Sequence, residues 1–299
     1  MISVESAGAG RRRRFAMSVD VEDYLHTWAL SPVISRESWD RWPSRVEAAT
    51  MRIIDLFDRQ DAHATFFTLG WVAKRAPRLV REIVARGHEL ASHGFYHDKV
   101  HDLSPKAFHD DVRNTRLLLE DLSGSAIKGF RAPSFSINNG CWWAYDQLKE
   151  AGYSYSSSLH PISHDHYGMP NAPLRPFKPA DSDFLEIPVA TVELFGRRVS
   201  CAGGGHFRLF PYRWSKWCLQ KLANEQDRTA AFYFHPWEID PGQPRVRGLS
   251  LRSRLRHYTG LAAMETKLKR LLGDFRWDRM DRLYGLDRQP SNTDAVSMT

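Results

Sequence analysis

Short apolar runs alternate with segments of helical periodicity through the first half of the chain. After the first run, apolar residues recur at helical spacing from Val46 to Phe57. Ser44, with Glu47 three residues later, has the spacing of a capping box. The alternation predicts strands at 15–20, 64–69, 89–92 and 129–131, and helices from Ser44, near Leu79, over 105–122 and over 142–151. Such alternation with short connections predicts a parallel sheet, either open or closed into a barrel.

The second half of the chain is less regular. Apolar runs predict strands at 185–189, 192–195 and 230–234, and helical spacing predicts a helix over 212–226. From about Pro236 the chain is basic and mostly helical. We therefore predict four segments: a flexible basic tail at 1–14, an α/β domain over 15–240, a helical extension packed on that domain over 241–288, and a flexible tail at 289–299.

The composition is that of a globular protein with an excess of positive charge. Hydrophobic residues make up 42% of the chain, which is enough to bury a core. The formal net charge is +7, and much of the excess lies at 11–14 and 245–279. This charge favours an acidic partner such as an anionic polymer, a membrane surface or a nucleic acid. Helix-turn-helix, zinc-finger and RNA-binding patterns are missing from the sequence, so we do not expect nucleic acid binding.

Cysteine usage and the absence of targeting signals bear on the compartment. Three widely spaced cysteines favour neither a disulfide framework nor a cysteine zinc site, and they agree with a reducing environment. The sequence has no apolar stretch of transmembrane length, and the charged start is not followed by the apolar region of a signal peptide. We therefore expect a cytoplasmic protein.

Three carboxylates follow the first predicted strand, at Asp20, Glu22 and Asp23. Carboxylates this close repel one another, so a bound cation or a positive partner would relieve the cost of keeping them charged. Active sites of parallel folds lie at the carboxyl ends of the strands, which is where this cluster falls. The alternative is a solvated acidic turn or helix start.

Two histidines, His93 and His97, follow the third predicted strand. Histidines four residues apart share one face of a helical turn, and both imidazoles can then reach one metal ion. The alternative is a pair of surface histidines, because His88, His101 and His109 show that histidine is common in this region.

Single polar residues end two further strands. Arg131 follows the fourth strand, where its planar guanidinium could hold a carboxylate, although an ordinary salt bridge is the alternative. His235 ends an aromatic run, and Pro236 keeps the chain extended there. A lone histidine is usually structural, but one at a strand end opposite a metal site is a candidate general acid.

Several sequence segments, in this order, resemble the polysaccharide deacetylase family, which is also called the NodB-homology or carbohydrate esterase 4 family. They are ATFF at 64–67, GHELASHG at 87–94 and DFLEIPV at 183–189. The chain is also similar to a subfamily found with exopolysaccharide and exosortase loci. The matching segments are SVDVEDY at 18–24, GFRAPSFSI at 129–137, GGGHFRLFPY at 203–212 and YFHPWEID at 233–240.

The resemblance implies a distorted (β/α)7-type barrel over 15–240 and a role for each residue of the clusters. It implies that Asp20 is the catalytic base, that Arg131 orients Asp20, that His235 is the general acid, and that His93 and His97 bind a divalent metal, for which we favour Zn²⁺. The family has two adjacent Asp residues, but here Val21 follows Asp20. Strand parity favours Glu22 as the third ligand, whereas a tight turn would present Asp23. We favour Asp23 because Asp is the usual ligand type in the family.

The implied reaction is hydrolysis of N-acetyl groups from an amino sugar in a polysaccharide or a lipid-linked glycan precursor, in exopolysaccharide biosynthesis. Alternatives are an amidohydrolase acting on a small non-sugar amide and a catalytically inactive polysaccharide-binding protein. The basic region after Pro241 suggests peripheral association with the inner membrane or with an exopolysaccharide synthesis complex. A backbone N–H near Tyr96 or Phe135 is expected to bind the oxyanion. The candidate substrate contacts are Tyr96, Pro133, Phe135 and Trp237.

Overall fold

A parallel β-barrel forms the centre of the molecule. The computed structural model describes residues 14–164, 167–179, 182–225 and 231–287. Strands β1 to β6 are hydrogen-bonded in chain order, and β9 pairs with the other edge of β1. A parallel bridge between Val189 and Ala231 joins the segment after β6 to β9 and closes the barrel. The strands are β1 (Arg14–Val21), β2 (Thr65–Thr68), β3 (Glu89–Ser92), β4 (Gly129–Phe130), β5 (Tyr155–Ser156), β6 (Leu185–Glu186), β7 (Thr191–Leu194), β8 (Arg197–Ser200), β9 (Ala231–Phe234) and β10 (Arg276–Asp278).

The distorted (β/α)7-type barrel expected from the sequence is confirmed. Helices pack around it by their apolar faces, and the face predicted between Val46 and Phe57 is buried. The helices are α1 (Val46–Asp58), α2 (Gly70–Arg75), α3 (Pro77–Ala85), α4 (Pro105–Ser123), α5 (Trp143–Glu150), α6 (Gly204–Leu209), α7 (Tyr212–Ala223), α8 (Leu251–Tyr258), α9 (Leu261–Asp274) and α10 (Met280–Leu283). In the described part of the chain, no helix combines the length and the apolar character needed to cross a bilayer.

The strand predicted at 192–195 belongs to a hairpin outside the barrel. Strands β7 and β8 pair antiparallel through a turn at Phe195 and Gly196. Both turn residues have positive φ, 49° and 72°, which is the conformation of a tight two-residue hairpin turn. Strand β8 is not predicted from the sequence, because the alternation of polar and apolar residues over Arg197–Ser200 is weak. The helix predicted over 212–226 ends at Ala223, and Gln226 lies outside the described residues.

The C-terminal region does more than pack on the barrel. Its strand β10 pairs in parallel with residues 14–16 of β1, so it extends the same sheet. Met280 of α10 is buried among inward-facing side chains of the strands, such as Phe67 and Tyr155. The region therefore closes the barrel at the end where the strands begin, and the expected helical extension is an integral part of the fold. The predicted tails fall almost wholly outside the described residues, apart from Arg14, which begins β1.

Candidate active site

The polar clusters meet at the opposite end of the barrel, where the strands finish. Asp20, His93 and His235 come from the carboxyl ends of β1, β3 and β9, and they line one cavity of about 290 Å³. Arg131, which follows β4, is fully buried beneath the cavity. Parallel strands bring residues that are far apart in sequence to one edge of the sheet, so four separate clusters become one site.

Arg131 holds Asp20 in place. Its Nη1 donates to Oδ1 of Asp20 at 2.6 Å and to the hydroxyl of Ser18 at 2.9 Å. Its other nitrogens donate to the carbonyl oxygen and hydroxyl of Ser157, both at 2.9 Å. Each nitrogen of the guanidinium thus donates a hydrogen bond, and Arg131 fixes one oxygen of Asp20 while the other, Oδ2, faces His235 Nε2 at 3.9 Å.

Glu22, His93 and His97 form a group of donors of the kind that metal ions bind. One ligand atom from each lies within 4.8 Å of the others. Nδ1 of His93 hydrogen-bonds to the carbonyl oxygen of Arg131 at 2.8 Å, which orients the ring and leaves Nε2 for the site. Oε2 of Glu22 is buried, lies 2.8 Å from His97 Nε2 and accepts no hydrogen bond from the described residues. Two imidazoles and a carboxylate oxygen without a donor fit a divalent metal ion.

The surrounding charges shift the pKa values of these groups strongly. Burial alone would raise the pKa of Glu22, but His97 and His235 outweigh burial and hold it well below its usual range. Burial lowers the pKa of His93 to about 4. His93 is thus neutral and Glu22 ionised at physiological pH, which are the protonation states that metal ligands require.

The His93–His97 segment is a loop and not a helical turn. The prediction that the two histidines share one face of a helical turn is therefore wrong. Gly94 and His97 both have positive φ, 72° and 63°, and these reversals bring the two rings within 5.4 Å of each other. The loop is anchored by hydrogen bonds from Gly70 N to Gly94 O and from Trp71 N to Phe95 O.

Asp23 does not approach the histidines, so the preference for Asp23 over Glu22 is corrected. Its Oδ2 accepts hydrogen bonds from the backbone N–H groups of Arg45 and Val46 and from the hydroxyl of Ser44. Asp23 therefore caps the start of α1 from outside the helix. The capping box predicted for Ser44 is wrong as well, because α1 begins at Val46 and the Ser44 hydroxyl donates to Asp23.

His235 is held by a buried ion pair. Its Nδ1 lies 3.1 Å from Oε2 of Glu238, and Oε1 of Glu238 accepts from Nε of Arg208 at 2.8 Å. Burial alone would lower the pKa of His235, but Glu22, Glu238 and Asp20 together raise it to about 9. Glu238 is thus the residue that orients His235, and sequence reasoning missed it although it lies three residues away.

Two glycines make room for this arrangement. A Cβ atom on Gly204 would lie 1.6 Å from Oε2 of Glu238, and one on Gly203 would lie 2.9 Å from the ring of Tyr233. Gly203 also has a φ of 149°, a backbone conformation that residues with a side chain rarely adopt. These two glycines at the start of α6 therefore allow the backbone to approach the ring of Tyr233 and the carboxylate of Glu238, which holds His235.

The candidate substrate contacts are only partly in the cavity. Phe135 and Trp237 line it. Tyr96 lies against Arg36, 5.1 Å from ring centroid to guanidinium carbon, and Pro133 is buried below Gly94, so neither is among the lining residues. The backbone N–H of Phe135 donates to the carbonyl oxygen of Ala132, which removes it as an oxyanion donor.

Strained backbone accompanies the cavity wall after β4. Ser134 and Phe135 have φ of 55° and 48° although neither is glycine. Such conformations cost on the order of 1–3 kcal/mol each and persist where the surroundings fix them, frequently at functional sites. Here they turn the Phe135 ring into the cavity.

Sequence reasoning missed several aromatic and basic residues that also line the cavity. They come from four separate segments, and only the closed barrel brings them together. These residues are Trp28, His164, Tyr167, His206 and His257.

Two family models match consecutive parts of the chain. One described as polysaccharide deacetylase matches residues 38–156, which contain His93, His97 and Arg131. One described as a domain of unknown function matches residues 157–285, which contain His235 and Glu238. The candidate site draws on both regions, because neither alone contains all of its side chains.

Individual proteins of known name are similar to parts of the chain. Peptidoglycan-N-acetylglucosamine deacetylase of Bacillus cereus is 30% identical over 104 residues, which cover 35% of this chain and 47% of that protein. Chitooligosaccharide deacetylase of Sinorhizobium fredii is 42% identical over 115 residues, which cover 37% of this chain and 49% of that protein. The chain thus spans less than half the length of these curated relatives.

A solved structure has the same fold. It is a protein from Mycobacterium smegmatis named as a candidate polysaccharide deacetylase, with a TM-score of 0.61 and 19% sequence identity. The similarity covers 91% of this chain and 90% of that one, so it includes the C-terminal region as well as the barrel.

Proposed function

We propose that this chain hydrolyses N-acetyl groups of an N-acetylated amino sugar in a glycan, with the help of a divalent metal ion. The match of residues 38–156 to the polysaccharide deacetylase family model supports the proposal. The observation that carries the proposal is the grouping of Glu22, His93 and His97 within 4.8 Å, beside Asp20 and His235 in one cavity. A metal group, a base and an acid are the parts that amide hydrolysis requires.

The residues that would hold the metal are Glu22, His93 and His97. Bound there, a divalent ion supplies Lewis acidity toward the acetyl carbonyl and lowers the pKa of a water molecule toward about 7. We propose Zn²⁺, since two imidazoles and a carboxylate suit it, although the same donors suit other first-row ions.

Asp20 is the base in this proposal. Arg131 donates a hydrogen bond to Oδ1 of Asp20, so Oδ2 is the oxygen that would accept a proton from the attacking water. The new C–O bond forms as that O–H bond breaks, and acetate leaves when the C–N bond breaks. Arg131 keeps Asp20 from turning away during this transfer, and it is a positioning residue.

His235 is the acid. Its Nε2 lies 3.4 Å from Oε1 of Glu22 and 3.9 Å from Oδ2 of Asp20, so it points into the same space as the base. Glu238 holds Nδ1, which leaves Nε2 to give its proton to the departing sugar nitrogen. Positioned proton transfers of this kind contribute about 10²–10⁴-fold each.

The proposal is tested by acetate release from N-acetylglucosamine oligomers, together with the metal content of each variant. Asp20→Asn and His235→Ala should each lower kcat by about 10²-fold or more and leave the metal bound. Activity at the wild-type level in either variant would contradict the assigned role. Loss of metal from either would show that the group acts on metal binding and not on proton transfer.

The substrate class follows from what the relatives are named for and from the cavity. The names of the two relatives refer to peptidoglycan N-acetylglucosamine and chitooligosaccharide. The cavity is lined by Phe135, Tyr167 and Trp237, whose ring faces suit the apolar faces of a pyranose ring. Both observations support an N-acetylated sugar polymer over a small non-sugar amide.

The finer biological setting is a proposal that rests on sequence resemblance and on two exposed arginines. We propose an exopolysaccharide precursor as substrate, because four segments of the chain resemble the subfamily found with exopolysaccharide loci. We also propose a cytoplasmic location at the inner membrane, where Arg252 and Arg254 on the exposed surface of α8 would contact acidic lipid or glycan.

A further inference from the structure

A row of aromatic rings leads out of the cavity across the surface of α6 and α7. His206 lines the cavity, and its ring is stacked on that of Phe210 with centroids 6.1 Å apart and an angle of 5° between the planes. The Phe210 ring lies 6.4 Å from that of Trp214, which is stacked at 5.5 Å on Trp217. We call these four residues the aromatic row.

Two of the four rings of the aromatic row are exposed at positions where a protein would ordinarily place polar residues. Phe210 is 46% exposed and Trp217 is 45% exposed. The inward face of α7 is already provided by Ser215, Cys218 and Leu219, which are buried. A surface helix needs only one apolar face for the core. Trp214 is partly buried and still packs against that core, whereas the exposed ring of Trp217 lies outside it and is free for another purpose.

We propose that the aromatic row is a binding track for a glycan chain whose N-acetylated residue occupies the cavity. The inference rests on the proposed deacetylase function and names a substrate of several sugar units. Pyranose rings present C–H groups on their faces, and these groups pack on flat aromatic rings while the hydroxyl groups remain in water. Successive centroids lie 5.5–6.4 Å apart, which is close to the advance of a glycan per sugar residue.

Continuity with the cavity favours a glycan over a bilayer or a second copy of the chain. The row starts at His206, inside the cavity, and ends at Trp217 on the outer surface. Exposed Arg213 and Gln220 of the same helix border the row on one side with hydrogen-bonding groups. A line of rings that begins inside the cavity fits an extended glycan chain, whereas a face that binds a membrane does not need to lead into a cavity.

The test compares long and short substrates. Phe210→Ala and Trp217→Ala should lower kcat/KM for acetate release from the N-acetylglucosamine hexamer by about tenfold, the loss expected when roughly 50 Å² of apolar contact is removed. The N-acetylglucosamine dimer is too short to reach Trp217, so kcat/KM for the dimer should not change in Trp217→Ala. Trp217→Phe keeps a ring in place and should recover most of the activity on the hexamer.

Phe195→Ala is the matched control, since Phe195 is a fully exposed aromatic residue in the β7–β8 turn, outside the row. It should leave both substrates unchanged. Equal losses on hexamer and dimer in Trp217→Ala, or no loss on either, would overturn the inference. Lowered binding to vesicles or loss of self-association, with unchanged hexamer kinetics, would overturn it in favour of those partners.

Failure of the proposed function can be distinguished from failure of the track. If the wild-type protein releases no acetate from either oligomer, calorimetric titration with the hexamer still tests the row. Tighter binding of the hexamer by the wild type than by Trp217→Ala would support the track and refute the reaction on this sugar. Equal affinities would refute the track.

Discussion

The neighbouring carboxylates Glu22 and Asp23, at the end of β1, have different structural roles. Glu22 points into the cavity toward His97, and Asp23 points away to cap α1. Burial raises the pKa of Asp23 despite the hydrogen bonds that it accepts from Arg45, Ser44, Val46 and Tyr24. The two residues are therefore expected to respond differently to the same kind of substitution.

Glu22→Gln should lower the metal content of the purified protein, because an amide is a much weaker ligand than a carboxylate. Asp23→Asn should retain the metal but lower the free energy of unfolding by about 1–3 kcal/mol, because a charged acceptor of several backbone N–H groups is lost. Elemental analysis and urea unfolding measure the two effects. Loss of metal from Asp23→Asn, with full retention in Glu22→Gln, would reverse the assignment.

At the residue scale, the sequence indicates which side chains take part but not which way each one faces. Asp20, His93, Arg131 and His235 were predicted and meet in one site. The donors that draw Asp23 away come from residues 44–46, which no local pattern connects to it. A position in sequence cannot reveal such a distant partner, so the choice between Glu22 and Asp23 required the fold.

Among the elements, helix α6 can approach Glu238 closely because its first residue, Gly204, has no side chain. Gly204 lets the carboxylate of Glu238 lie against the backbone, and Glu238 in turn orients His235. Arg208, later in α6, pairs with the same carboxylate and also donates to the carbonyl oxygens at the end of α8. The helix therefore connects His235, through Glu238, to the C-terminal region.

Gly204→Ala should lower kcat by about 10²-fold or more, because its Cβ would displace Glu238 and release His235. Gly273→Ala in α9 is the control, since its Cβ would meet the nearest atom only at 4.0 Å. The control should keep full activity and be slightly more stable, because alanine is the better helix former. Undiminished acetate release by Gly204→Ala would show that Glu238 has no role in holding His235.

At the element scale, strands with strong apolar runs were predicted well and irregular ones poorly. The strand at 89–92 is found with the predicted bounds, and 129–131 is shortened by one residue. The His93–His97 loop and the turn at Ser134 and Phe135 require positive φ at His97, Ser134 and Phe135, none of which is glycine. Sequence patterns do not reveal such conformations, because the surrounding contacts impose them.

The C-terminal region closes the barrel at the end where the strands begin. Glu89 at the start of β3 accepts hydrogen bonds from Thr65, from Tyr155 and from the backbone N–H of Asp281. Burial, followed by the charge of Asp281, raises the pKa of Glu89 to about 7. The folded state thus retains a proton that the unfolded chain releases near its ordinary pKa of 4.5.

The free energy of unfolding should therefore fall as the pH rises from about 4.5 to about 7, by roughly 1–3 kcal/mol. The sign follows because the folded state binds more protons than the unfolded state over that range. Glu89→Gln should remove most of this slope, and Glu150→Gln, at an exposed position of α5, should not. Urea unfolding at several pH values measures how the free energy of unfolding changes with pH. An unchanged slope in Glu89→Gln would contradict the account.

For the whole molecule, the barrel class was predictable and its closure was not. Alternating strands and helices indicated parallel packing, but the pairing of β10 with β1 joins residues 276–278 to the start of the chain. Such long-range pairing has no local signal. The helical pattern over 241–288 consequently predicts an extension, whereas the fold uses part of that region, β10, to extend the barrel sheet.

The central claim is metal-dependent N-deacetylation, and the most direct test is acetate release from N-acetylglucosamine oligomers before chelation, after chelation and after re-addition of a divalent metal. We predict that chelation abolishes acetate release and that one added equivalent of metal restores it. Unchanged acetate release by protein from which the metal has been removed would contradict the claim.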